Sequence, residues 1–188
     1  MGVELVAKGD NWAKIRANLS LAKKSYVAVG WPSEKSKSNA VHDPISGMTN
    51  VQVAMANEVG SAPGVKPKVP ARPMVAETVK RTQAAVKELQ KKAMAGISSG
   101  ELGAKIALEQ IGRYFQGELE ISIRMPAGGW KAPNATMTEA KKGSDVPLID
   151  GGKLCGSVSW VVRMRSAHTR YAWDAMTQRR RTLKATGD

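Results

Sequence analysis

Apolar residues along the chain follow two rhythms, one of three and four residues and one of two, and the switches between them mark the elements. Trp12, Ile15, Leu19 and Ala22 recur at helical spacing across residues 10–24, with Asp10 placed to cap the helix. The next run, Ser25 to Trp31, is β-branched and aromatic and is closed by Gly30 and Pro32, which predicts a strand. Residues 33–49 are polar, hold Pro44 and Gly47, and carry no periodicity, the pattern of a loop or hairpin tip. Asn50 then stands ahead of Val51, Ala54, Met55 and Val59, with Gly60 behind them, giving a capped helix with a glycine stop.

Pro63, Pro67 and Pro70 break the stretch from Ser61 to Arg72, because proline lacks the N–H and clashes with the preceding turn, so an extended connector is predicted. Pro73 is tolerated in a first helical turn, and Val75, Val79, Val86, Leu89 and Ala93 repeat behind it, predicting a long helix over 73–95. Ser98 and Glu101 have the spacing of a capping box and predict the start of a second long helix. Its apolar stripe is Leu102, Ile106, Ile111, Tyr114 and Phe115, and its small Gly103, Ala104, Ala107 and Gly112 permit a close neighbour. Leu119, Ile121, Ile123 and Met125 fit a strand by alternation, but Leu119 and Ile123 also fit a continuing helix, and a helix to about 123 is favoured.

Residues 126–147 are turn-rich around a short helical patch at 136–141. Leu148 to Gly152 reads as a tight turn, Leu154 to Ser157 as the start of a last apolar segment, and Ser157 to Val162 as a second strand. Beyond Arg165 a short helix near 171–177 and a basic end are expected. These elements predict an α+β fold: two long helices packed on a small antiparallel sheet of residues 25–31 and 157–163, with extended loops. Residues 1–165 form one domain, and 166–188 a basic C-terminal tail.

A chain of 188 residues, 42% of them apolar, can bury a core without metals or disulfides. Cys155 has no partner for an intramolecular disulfide, and with only His42 and His168 beside it no tetrahedral Cys/His zinc site can be assembled. No apolar run reaches the ~18 residues that span a bilayer, and the N-terminal residues lack the order of a secretion signal. The chain is therefore expected to act in a cytosol, with no membrane partner. No coherent set of catalytic residues stands out in the sequence. Cys155 has no nearby His or Asn, Asp145 and Asp150 are loosely spaced, and glycine-rich phosphate-cradle motifs are absent, so no enzyme, cofactor or metal is expected.

Charge changes the picture more. Lys and Arg number 29 against 16 Asp and Glu, a formal net charge of +13. Such a surplus favours acidic partners or nucleic acid. The basic residues lie mostly in pairs, with one dense run at Arg179, Arg180 and Arg181, and the aromatics do not interleave with them as a base-stacking platform requires.

One stretch resembles a known family. Trp130, Pro133, Thr136, Lys141-Lys142-Gly143, Pro147-Leu148-Ile149-Asp150, Gly152, Leu154 and Ser157-Val158 occur in the order of the C-terminal signature of tailed-bacteriophage neck or tail-completion proteins. That signature places a tryptophan-proline loop, a threonine and a lysine-glycine turn before Pro-Leu-Ile-Asp-Thr-Gly-x-Leu-x-x-Ser-Ile. Asn57-Glu58-Val59-Gly60, followed by Val69-Pro70-Ala71-Arg72-Pro73-Met74, is similar to the family's Pro-Ala-Arg-Pro-Phe segment and the glutamate and glycine ahead of it. Gly151 stands where the family usually has threonine, Met74 where an aromatic residue is common, and Arg179 to Arg181 lie outside the pattern.

The resemblance implies a structural virion protein, forming a hexameric or dodecameric ring at the head-to-tail junction and assembled in the host cytoplasm. Its partners would be copies of itself, other connector and tail proteins, and DNA passing through the channel. Pro70, Pro73, Arg72, Trp130, Pro147, Asp150, Gly152 and Leu154 are the candidate interface or fold-determining residues. Arg72, by its rigid fork, suits a carboxylate of the same or an adjacent subunit. Arg179, Arg180 and Arg181 are the candidate contacts to nucleic acid or an acidic partner. Two alternatives stand beside this: a tail terminator within the same class, and a basic nucleic-acid-binding protein. A hydrolase built on Cys155 ranks third.

Overall fold

A computed structural model describes residues 9–42, 44, 46–64, 68–125, 148 and 152–164. In chain order these form α1 (Gly9–Lys24), β1 (Tyr26–Gly30), α2 (Ser36–Asn39), α3 (Asn50–Val59), α4 (Met74–Ser98), α5 (Ala104–Arg124), α6 (Lys153–Gly156) and β2 (Ser159–Arg163). The fold is α+β. The features expected at 126–147, 149–151 and 165–188, and the Asp10 side chain, lie outside the described residues.

β1 and β2 pair antiparallel, with Tyr26 opposite Arg163, Val27 opposite Val162 and Val29 opposite Trp160. Opposed residues share a face, so Val27, Val29, Trp160 and Val162 form one face of the ribbon. A two-stranded ribbon is marginal alone and needs a helix against it. α5 supplies that helix, contacting both strands as well as α4, α1 and α6. The approach is close at Gly112, where a Cβ would stand 2.9 Å from Val27 Cγ2 and 3.1 Å from the Trp160 ring. The small residues expected to admit a neighbour do so here.

Apolar burial falls into two clusters. One gathers Met74 of α4, Leu119 and Ile123 of α5, Leu148, and Leu154, Cys155 and Val158. The other joins Ala93 and Ile97 to Ala104 and Ala107, with Leu19 and Ala22 of α1 against them. Met74, Leu119, Ile123 and Leu154 are at most 1% exposed, each contributing roughly 1.5–3 kcal/mol by leaving water.

Several boundaries and faces differ from the expected ones. α3 is capped by Thr49, not Asn50: the Thr49 side chain accepts from the Gln52 N–H, and the Gln52 side chain accepts from the Thr49 N–H at 2.9 Å. Asn50 lies inside the helix and is buried. α4 runs past 95 to Ser98, so no capping box forms at Ser98 and Glu101. α5 starts at Ala104, whose N–H donates to Asn18 Oδ1 of α1 at 3.3 Å. The loop at 33–49 holds the short α2 and an antiparallel bridge between Val41 and Thr49.

The buried side of α4 is Met74, Thr78, Thr82, Ala93 and Ile97, while Val79 is exposed. Threonine tolerates this place because its hydroxyl is satisfied within the helix: Thr78 donates to the Met74 carbonyl at 2.7 Å and Thr82 to the Thr78 carbonyl at 2.8 Å. Trp12, Met55, Val59 and Ile106, all expected on buried stripes, are likewise exposed.

Candidate functional site

The two similar segments ahead of the long helix, Asn57 to Gly60 and Val69 to Met74, meet in space and form the joint between α3 and α4. Gly60 ends α3 at φ 72°, and its N–H donates to the Ala56 carbonyl at 2.9 Å. A Cβ on Gly60 would lie 2.8 Å from Ala71 N and 3.0 Å from Val69 O, so glycine is required for both conformation and space. Ser61 then holds Val69 at both ends: its N–H donates to the Val69 carbonyl at 2.9 Å, and its hydroxyl accepts from the Val69 N–H at 2.8 Å.

Arg72 lies under this crossing, 6% exposed. Its N–H donates to the Asn57 carbonyl at 2.6 Å, and its guanidinium donates to Asn57 Oδ1 at 3.1 Å. Burial lowers the guanidinium's proton affinity, although an arginine stays charged in any protein. Asn57 is itself fixed by a 2.9 Å bond from Nδ2 to the Val53 carbonyl.

Pro73 sits at φ −76°, ψ 65°, the conformation of an inverse γ-turn, and the Met74 N–H closes that turn on the Arg72 carbonyl at 2.8 Å. The ring's fixed φ suits the turn. Glu58 completes the joint, its carboxylate accepting from the Val75 and Ala76 N–H groups at 2.9 and 3.0 Å. The Glu77 N–H reaches the Pro73 carbonyl at 2.9 Å. With proline at the N-cap the helix start leaves three N–H groups open, those of Met74, Val75 and Ala76, and the chain satisfies all three, with a carboxylate at the positive end of the helix dipole.

Pro70 is half-buried in this joint. Leu154 and Gly152 lie elsewhere. Leu154 is 1% exposed in the first core cluster, and Gly152 sits at φ 70° ahead of α6. Leu148 joins the same cluster at φ 63°, an uncommon backbone for a leucine. Trp130, Pro147, Asp150, Arg179, Arg180 and Arg181 lie outside the described residues. The candidates that can be placed thus fall into two groups, the α3–α4 joint and the start of α6; Arg72 and Leu154 are buried, and Pro70, Pro73 and Gly152 are partly exposed.

Sequence reasoning missed the roles of Asn57 and Glu58. No local spacing rule points from Glu58 to Val75, seventeen residues on, and a carboxylate just ahead of a helix stop reads as surface charge.

Other reactive groups are occupied in packing. Cys155 is buried, its sulfur accepting from Arg124 Nε at 3.2 Å and its thiol facing the Glu120 carbonyl at 3.8 Å. His42 Nδ1 is 2.7 Å from Asn50 Oδ1, while Asn50 Nδ2 donates to the Lys37 carbonyl at 2.7 Å. With the amide nitrogen so engaged, His42 is the donor to Oδ1. Among the described residues no group of three or more His, Cys, Asp or Glu is placed to hold a metal ion, and no helix is long and apolar enough to cross a membrane.

α4 and α5 are also pinned by polar contacts. The Ser122 hydroxyl donates to Thr78 Oγ1 at 2.7 Å, and Arg81 donates to Ser122 Oγ and the Glu118 carbonyl, each at 3.0 Å, while pairing with the Glu118 carboxylate. These bonds set how far one helix can slide along the other. Comparison with family models, curated proteins and solved structures finds no match.

Proposed function

We propose that the chain is a structural protein of a tailed-bacteriophage virion, a neck or tail-completion subunit that forms a ring of six or twelve copies at the head-to-tail junction. The observation that carries this reading is the ordered set of short motifs between Asn57 and Val158, two pieces of which close on each other through Asn57, Glu58 and Arg72. A joint that satisfies its own backbone groups fixes the angle between α3 and α4, which a subunit repeated around an axis needs at every copy. Met55 and Val59, one turn apart on α3 and 69 and 66% exposed, offer apolar contact to a neighbouring subunit.

A ring follows when one patch of a subunit docks on a different patch of the next and the rotation closes. The protein has no catalytic role in this reading; it assembles in the host cytoplasm and stays in the virion. A tail terminator is the alternative within the class. The mass of the purified native assembly is the test: a six- or twelvefold multiple of the subunit is expected, and a single-copy species at every concentration contradicts the ring. The second reading, a basic nucleic-acid-binding protein, rests on the net charge of +13 and predicts steeply salt-dependent binding of free DNA with no ring.

A further inference from the structure

α4 presents a basic face to solvent. Lys80, Lys87 and Lys91 are all exposed, and at 3.6 residues per turn they stand in one row on the side opposite Met74, Thr78, Thr82, Ala93 and Ile97. Steps of seven and four residues place them about 10 and 6 Å apart along the axis, a row of roughly 16 Å. Gln83 and Ala84 flank the row, and the exposed Glu77 and Glu88 stand at its edge, each one turn ahead of a lysine, Lys80 and Lys91. Among the described residues, Lys80 and Lys87 form no ion pair. Lys91 meets Glu88 at 2.6 Å, with both side chains more than half exposed, and such a pair is worth little in water.

We propose that this face of α4 is a contact surface for double-stranded DNA, with Lys80, Lys87 and Lys91 each neutralising a backbone phosphate. Charge complementarity carries the choice of partner. A straight row of ammonium groups matches a linear polyanion, and ~16 Å of duplex axis presents roughly five phosphates per strand. The row contains no aromatic side chain on which an unpaired base could stack, so it suits the duplex rather than a single strand. Lysine acts as a point charge on phosphate, so binding is independent of base sequence. The proposal deepens the virion reading by giving the channel's DNA a face on the subunit, and rests on that reading only for the source of the DNA.

Fluorescence anisotropy of a labelled random-sequence duplex, titrated with the full chain over a range of salt, tests it. The comparison is between a Lys80→Gln, Lys87→Gln, Lys91→Gln variant and a control of equal charge, Lys14→Gln, Lys23→Gln, Lys35→Gln, with circular dichroism showing that both fold. Loss of three phosphate contacts should flatten the log–log salt slope by about 2.7, so the native chain loses about 40-fold more affinity than the α4 variant between ~50 and ~200 mM salt. The control should keep the native slope. Equal flattening in both variants, no flattening in either, or α4-dependent binding of polyglutamate without binding of duplex would each overturn the assignment. None of these outcomes bears on the mass of the assembly, so the ring can fail or stand separately.

Discussion

Asn57 and Arg72 hold each other twice, once through the backbone at 2.6 Å and once from guanidinium to amide at 3.1 Å. The side-chain bond spans fifteen residues and ties the last turn of α3 to the residue before Pro73. Asn57→Ala removes this acceptor and the Nδ2 bond to Val53, so the buried guanidinium has one acceptor fewer. The expected loss is about 1–3 kcal/mol, read as a lower urea midpoint with an unchanged slope.

Glu58 acts on the other side of the same joint. Glu58→Gln keeps one acceptor for the α4 N–H groups but removes the charge at the helix start, and should cost about 0.3–1 kcal/mol. Glu58→Ala removes both acceptors and should cost more, about 1–2 kcal/mol. Thermal unfolding of the pair at low ionic strength separates the two contributions.

Two glycines of α5 should respond to alanine with opposite signs. At Gly112 the new methyl would meet Val27 at 2.9 Å and Trp160 at 3.1 Å, whereas at Gly117 nothing lies within 4 Å. Gly117→Ala should therefore stabilise by about 0.5–1 kcal/mol through helix propensity. Gly112→Ala should destabilise by about 1–3 kcal/mol as the sheet is pushed off the helix. Matched denaturation curves decide both.

On the outer face of the ribbon, Arg163 pairs with Glu34 at 2.6 Å and reaches the Tyr26 hydroxyl at 3.2 Å. The Glu34 carboxyl is held below its ordinary value of 4.5, first by its own backbone N–H and then by the Arg163 guanidinium. Because the folded value is the lower one, this contribution is complete above pH 4.5 and fades as the pH falls through the folded midpoint. A carboxyl NMR titration should place Glu34 below ordinary glutamates, and Arg163→Gln should raise its midpoint without fully restoring it. An unmoved midpoint in the variant would show that Arg163 has no part in it.

The rhythm of apolar residues, with the glycines and prolines that break it, located β1, α3, the two long helices and β2. It misplaced the buried side of α4 because Thr78 and Thr82 take core positions once their hydroxyls bond within the helix, leaving Val79 outside. The same four-residue capping signature is true at Thr49 and Gln52 and false at Ser98 and Glu101. Ile97, 2% exposed, draws α4 onward to Ser98, and Asn18 from a distant helix meets the start of α5 instead. Of the candidate site, Pro70, Arg72 and Pro73 were legible as rigid or forked residues at a helix start. Their partners Asn57 and Glu58 were not, since only the tertiary crossing at Gly60 brings them together.

The most direct measurement is electron microscopy of particles from an infection in which this chain is missing. Filled heads and finished tails lying apart, rejoined when the chain is supplied, are expected of a head-to-tail joining subunit. Joined, infectious particles formed without it would contradict the proposal.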